Sequence, residues 1–215
     1  MPNTLQEEYS RTIKRDGAVK FIGSYTISDF HAHAKIHFRY LKEQGLQQHH
    51  KFLDVGCGAL RTGSLVIPYL EKGNYYGIDR MPELIEYGLN DILDNQTVFD
   101  KQPNLSVNEH FDFSFVDQKI DFIWCQSLMS HLHEYDIKVC LNNLKPLCHS
   151  DTYIYFTYFE LKGLQRGKAP NSHSKLDIMY DRDVMDDIVN EAGLKKVFNG
   201  RVHHPRQQWM YICKA

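Results

Sequence analysis

Apolar positions change their spacing several times along the chain, and each change marks an element. In "ISDFHAHAKIHFRYLKEQGL" (27–46), Phe30, Ala34, Phe38 and Leu41 recur at helical spacing. That predicts a helix with Ser28 as N-cap and Gly45 as its stop. "KFLDV" (51–55) and "NYYGID" (74–79) read as short apolar strands. Between them, "TGSLVIPYLEKG" starts as a helix that Pro68 shortens or kinks. "MPELIEYGLNDIL" is helical, with Pro82 in its first turn, where the missing N–H costs little. "LSVNE" (105–109) is a third strand, and the nearly continuous apolar run "DFIWCQS" (121–127) a buried fourth. "EYDIKVCLNNLKPL" predicts a helix ending near Pro146, and "TYIYFTYF" (152–159) a fifth strand. "GLQRGKAPNSHSK" (163–175) is a long loop with the composition of a lid. "RDVMDDIVNEAGL" is a helix stopped at Gly193, and "KKVFNGRV" and "QQWMYICK" close the chain as a strand pair.

Strands and helices therefore alternate from residue 51 to 194, followed by two strands with no helix between them. The pattern predicts an α/β fold: a Rossmann-like, doubly wound, mostly parallel seven-stranded sheet with an antiparallel C-terminal strand. Residues 1–45 are expected to form an N-terminal helical cap, and 46–215 the main domain. Ligands of such sheets sit beyond the carboxyl ends of the strands, and "GCGALRTG" leaves the first strand there.

Composition narrows the function. The chain has 215 residues, 42% hydrophobic and 24% charged, with a formal net charge of -2. It carries no global basic field for a nucleic-acid backbone. No stretch approaches the roughly 18 apolar residues of a membrane span. The N-terminus has no apolar signal core, so a cytoplasmic location is expected. The five cysteines are scattered without a C-x-x-C pair, which argues against a zinc knuckle or a disulfide framework. Of His31, His33 and His37, only the last two stand four apart, and no H-E-x-x-H occurs, so no metal is expected.

Three ligand classes compete for the glycine bend. A P-loop needs lysine after its last glycine, and Ser64 stands there. A dinucleotide fingerprint needs glycine at 61, and Arg61 would crowd a pyrophosphate. The third class follows from a likeness. "LDVGCGALRTG" resembles motif I of class I S-adenosylmethionine-dependent methyltransferases. "NEHFDFSFVDQKIDFIWCQSLMSHL" and "LKPLCHSDTYIYFTYFE" are similar to later stretches of the same family. Leu147 and Cys148 replace the glycines of its Lys-Pro-Gly-Gly turn. The likeness covers roughly residues 45 to 215, and its narrower match is to a bacterial branch associated with small molecules and glycans.

The resemblance implies S-adenosyl-L-methionine as cofactor. It places Asp54, Gly56, Cys57, Gly58 and Arg61 at the methionine end, with Arg61 facing the carboxylate. It puts Asp79, followed by Arg80, on the ribose hydroxyls. Glu109 takes the adenine amine, with His110 and Phe111 along the adenine edge and Gln126 and Ser127 beside the cofactor. His131 is the candidate general base. His37, His133, His204 and Arg206 are candidate substrate-binding residues. Simpler readings stay open: Gly56 and Gly58 as a tight turn, Asp79 as a helix cap, Glu109 as a solvated loop acid, Arg61 as a surface cation. The expected reaction moves a methyl group to a small molecule, with a sugar, glycan-precursor or natural-product hydroxyl favoured. The alternatives are small-molecule N-methylation and a cofactor-binding or partner protein without catalysis. No nucleic-acid or membrane partner is expected, and the oligomeric state stays open.

Overall fold

The computed structural model describes residues 4–160, 178–201 and 209–214. The chain divides into two compact units, Met1–Glu109 and His110–Ala215. The 45 N-terminal residues thus share a unit with the glycine bend.

The first unit opens with three helices, α1 (Thr4–Asp16), α2 (Ala18–Phe21) and α3 (Ile27–Glu43). The α3 helix starts two residues earlier than a Ser28 cap would give. Thr26, not Ser28, is its N-cap, because Asp29 three residues on completes a reciprocal capping box. Phe30, Ala34, His37 and Leu41 are its buried residues, so His37 joins the apolar stripe while Phe38 is half-buried. Ile13, Ala18, Phe30, Ala59, Met81 and Leu84 form one buried cluster, which joins the N-terminal helices to residues just after the first two strands.

Three strands follow: β1 (Phe52–Val55), β2 (Tyr75–Asp79) and β3 (Asn104–Val107). β1 pairs parallel with β2, and β2 parallel with β3. All four β1 residues are buried, which is why that strand reads as an apolar run without alternation. The connecting helices are α4 (Gly63–Tyr69), which ends one residue after Pro68, and α5 (Pro82–Tyr87), which passes into a π-helical turn at Gly88–Ile92. A short α6 (Asn95–Lys101) precedes β3; Asp94 caps it by accepting from the Thr97 N–H.

The second unit contains β4 (Ile120–Cys125), a 3₁₀ turn at Met129–His131 and α7 (Glu134–Leu144). A second 3₁₀ turn, Lys145–Leu147, takes the place of the glycine turn that the Lys-Pro sequence resembles. Then come β5 (Cys148–Glu160), β6 (Met179–Tyr180), α8 (Arg182–Glu191), β7 (Lys195–Arg201) and β8 (Trp209–Lys214). β4 and β5 are parallel, whereas β8 runs antiparallel to both β5 and β7. The two-residue β6 pairs parallel with the end of β5 and brings the described strands to eight, one more than expected. The stretch 163–175 lies outside the described residues.

Candidate cofactor-binding site

The bend after β1 turns on glycine. Gly56 and Gly58 have φ of 74° and 54°, a left-handed region where a side chain costs energy and glycine does not. Its amides are largely spent within the protein. The N–H groups of Gly56 and Cys57 both donate to the Ile78 carbonyl, at 2.8 and 3.0 Å. The Gly58 N–H donates to Asp79 Oδ2 at 2.9 Å. The bend is thus held against the end of β2.

Asp79 organises that end. Its Oδ1 accepts from the Met81 N–H at 2.9 Å while Oδ2 holds Gly58. Burial pushes its carboxyl up, and the bonds from Met81 and Gly58 and the nearby Arg80 pull it back. A carboxylate has about four lone-pair sites, so these two amides leave room for a vicinal diol. The chain therefore fits a ribose here. Asp79 tethers the turn into α5 and presents acceptors at the same time.

Asp54 does something else. It is 3% exposed, and its Oδ2 accepts from the Tyr75 hydroxyl at 2.9 Å. Burial first, then the Asp79 charge, raise its carboxyl to about 7 against the Tyr75 bond and Arg61. A Cβ on Gly63 would lie 2.8 Å from the Tyr75 hydroxyl, so the third glycine of the motif makes room for that hydroxyl. Cys57 is buried, and its thiol is pushed well up by burial and by Asp79 and Asp54.

Arg61 Nη1 donates to the Ile22 carbonyl and to Ser24 Oγ, at 3.2 and 3.3 Å. Arg80 pairs with Glu109 Oε2 at 3.1 Å, and its guanidinium lies 5.4 Å from the centre of the Tyr9 ring. Glu109 is thus an oriented acid, not a freely solvated one. His37 is 2% exposed, with Nδ1 3.1 Å from Thr62 Oγ1, which places it in the interior of the first unit.

The remaining candidates lie in the second unit. His110 is exposed, and Phe111 is half-buried with φ of 54°, its carbonyl accepting from Asn143 Nδ2 at 3.0 Å. Gln126 Nε2 donates to Ser127 Oγ at 2.8 Å. Ser127 has φ of 55°, and its N–H donates to the buried Thr157 Oγ1 at 2.7 Å. This strained turn after β4 is locked from β5. His131 ends the 3₁₀ turn and is exposed; His133 is half-buried at the N-cap position of α7. His204 and Arg206 lie outside the described residues. Among the described residues, no group of three or more His, Cys, Asp or Glu is placed to hold a metal ion. No helix among them is long and apolar enough to cross a membrane.

Tyr75, Thr157 and Ser24 were not singled out by the sequence. Tyr75 stands in an apolar strand beside another tyrosine, so only the partner across from it reveals its role.

A glycine bend fastened to an acidic strand end is shared by many nucleotide-binding folds, and the comparisons decide among them. Residues 53–154 match a family model described as a methyltransferase domain. That match takes in just under half of the chain, and the fold as a whole is the Rossmann-like one of S-adenosylmethionine-dependent methyltransferases. Magnesium protoporphyrin IX methyltransferase from Synechocystis PCC 6803, solved with bound SAH, is similar with a TM-score of 0.67 at 13% identity. The match covers 99% of this chain and 96% of that one. A SAM-dependent methyltransferase from Aquifex aeolicus gives 0.64 at 20% identity, covering 95% and 97%. The glycopeptide N-methyltransferase MtfA, complexed with sinefungin, gives 0.64 at 9% identity, covering 84% and 85%. No curated protein sequence matches the chain.

Proposed function

We propose that this methyltransferase domain moves a methyl group from S-adenosylmethionine to a small-molecule acceptor, with a hydroxyl as the favoured nucleophile. The observation that carries the cofactor reading is Asp79, fixed by the Gly58 and Met81 amides with acceptor capacity to spare. When bound, the cofactor supplies an electrophilic methyl on a sulfonium. Asp79 accepts from both ribose hydroxyls in charge-assisted bonds. Arg80 orients Glu109 toward the adenine amine, with His110 and Phe111 along that edge. Gln126 and Ser127, on the turn after β4 where Ser127 has φ of 55°, are further proposed cofactor contacts.

The protein's remaining task is to align the acceptor in line with the sulfur–carbon bond and to take its proton. His131 is the proposed base: it would take the acceptor's proton as the acceptor oxygen bonds to the methyl carbon, while the carbon–sulfur bond breaks and its electron pair stays with sulfur in S-adenosylhomocysteine. Histidine's ordinary pKa of about 6.5 suits that transfer near neutrality. His133, His204 and Arg206 are the proposed acceptor contacts. His37 keeps an interior role, bonded to Thr62. N-methylation, as in the glycopeptide N-methyltransferase MtfA, is the alternative, since an amine needs no base during transfer. Calorimetry with S-adenosylmethionine and with NAD tests the cofactor. Micromolar binding of the first and none of the second is expected, and the reverse overturns the reading. Methyl transfer to sugars, phenols and amines then separates the acceptor classes.

A further inference from the structure

Two side chains join the N-terminal segment to the glycine bend. Arg61 Nη1 reaches the Ile22 carbonyl at 3.2 Å and Ser24 Oγ at 3.3 Å, across 39 and 37 residues of chain. Ser24 is 1% exposed, so water cannot readily replace Arg61 there. The Ile22 side chain touches the bend as well: a Cβ on Gly58 would lie 3.4 Å from its Cγ2. Ile22 also packs on the cluster of Ile13, Ala18, Phe30, Ala59, Met81 and Leu84. The peptide it contacts, at Gly58, is the one whose N–H Asp79 holds.

We infer that Arg61 is a positioning residue that clamps the segment 17–24 onto the glycine bend and makes it a wall of the cofactor site. The inference rests on the cofactor reading, since Asp79 marks the site as such. A guanidinium suits the task because Nη1 carries two N–H groups and serves both acceptors at once. Within the segment, the N–H groups of Ile22, Gly23 and Ser24 donate to the nearby carbonyls of Ala18, Lys20 and Val19. Its placement on the bend therefore depends on side chains. A wall released from Arg61 has to be ordered again each time a ligand binds, which weakens every ligand that uses the site.

This role differs measurably from a direct contact with the cofactor carboxylate. 5′-Methylthioadenosine keeps the nucleoside and sulfur but lacks the amino-acid carboxylate; S-adenosylhomocysteine has both. The test measures the affinity of the full chain for each, in the wild type, Arg61→Met and Ser24→Ala, together with amide exchange of residues 18–24 in the ligand-free protein. A clamp predicts that Arg61→Met weakens both ligands by the same factor, about tenfold. It predicts a smaller common loss for Ser24→Ala, and faster exchange at 22–24 in both variants. Weakening of S-adenosylhomocysteine alone overturns the clamp in favour of a carboxylate contact. Unchanged exchange overturns it as well. Should Arg61→Met not fold, unchanged exchange and affinity in Ser24→Ala overturn the inference by themselves. A wild type that binds neither ligand defeats the cofactor reading and the wall with it, while exchange still reports whether Arg61 holds the segment.

Discussion

Two half-buried carboxylates, one in each unit, hold opposite kinds of partner. In the first, the Asp79 carboxylate holds backbone: the Gly58 and Met81 amides. In the second, side chains hold one another. Asp186 on α8 accepts from Lys196, from Asn199 Nδ2 at 3.1 Å and from the Tyr211 hydroxyl at 2.9 Å. The Tyr158 hydroxyl donates to Asn199 Oδ1 at 2.7 Å, and Phe156 stacks on Tyr211 with centroids 4.9 Å apart. Burial pushes the Asp186 carboxyl up, but Lys196, Tyr211 and Asn199 outweigh it and hold it below its usual range. A carboxylate that holds amides shapes a loop and keeps lone pairs for a ligand. One that gathers three side-chain donors locks β7, β8 and α8 together and serves the scaffold. Between Asp79 and Asp186 the difference is therefore in the chemical type of the partner, not in the depth of the acid.

That contrast can be broken at its ends. The largest effect is expected in the second unit, outside its polar network. His131→Ala should lower turnover on a hydroxyl acceptor by roughly 10²–10⁴ while leaving cofactor affinity in place. Steady-state kinetics and calorimetry on the same preparation check this. Near-normal turnover would move the base elsewhere, and if no histidine variant slows transfer, the hydroxyl acceptor should be dropped. Asp79→Ala should weaken cofactor binding by about 2–4 kcal/mol, roughly 30- to 1000-fold. A folded variant with unchanged affinity would show that the ribose is held by another group.

The third expectation concerns pH. Burial pushes the Asp54 carboxyl up to about 7 in the folded protein, against an ordinary 3.8. Below both values the group is protonated in either state and costs nothing. As pH rises between them, the unfolded chain loses the proton first, so this group makes stability fall from about pH 4 to about pH 7. Asp54→Asn keeps an oxygen for Tyr75 and should flatten that part of the curve, as read by denaturant melts at several pH values. The smallest effect sharpens the contrast from the scaffold side. Tyr211→Phe keeps the stacked ring but removes one donor to Asp186. It should cost about 0.5–1.5 kcal/mol of stability with no change in cofactor affinity. A loss of affinity there would mean that the network also serves the site.

The sequence carried the α/β alternation, the parallel strands and the antiparallel closing strand. Most of those strands are short apolar runs bounded by turn residues; β5 starts at Cys148, four residues before the predicted run, and β7 is mostly polar and exposed. The α1, α2 and α6 helices went unassigned. α1 is mostly polar, and its apolar positions gain meaning only through the cluster that Ile13 joins. α6 has no buried residue, so periodicity had nothing to register. The start of α3 shifted because a capping box outweighs a lone serine.

In the site, Gly56, Gly58 and Asp79 were legible because backbone conformation and an acid at a strand end are local properties. Partners were not. Nothing local says that Arg61 bonds Ser24, that Glu109 pairs with Arg80, that Tyr75 bonds Asp54, or that His37 turns inward to Thr62. Each of these bonds spans 21 residues or more, as the 21 between Tyr75 and Asp54 illustrate. Residue order along a chain determines what a turn can adopt and which positions must be buried. Which polar groups meet depends on how helices and strands pack, and only the tertiary structure decides that.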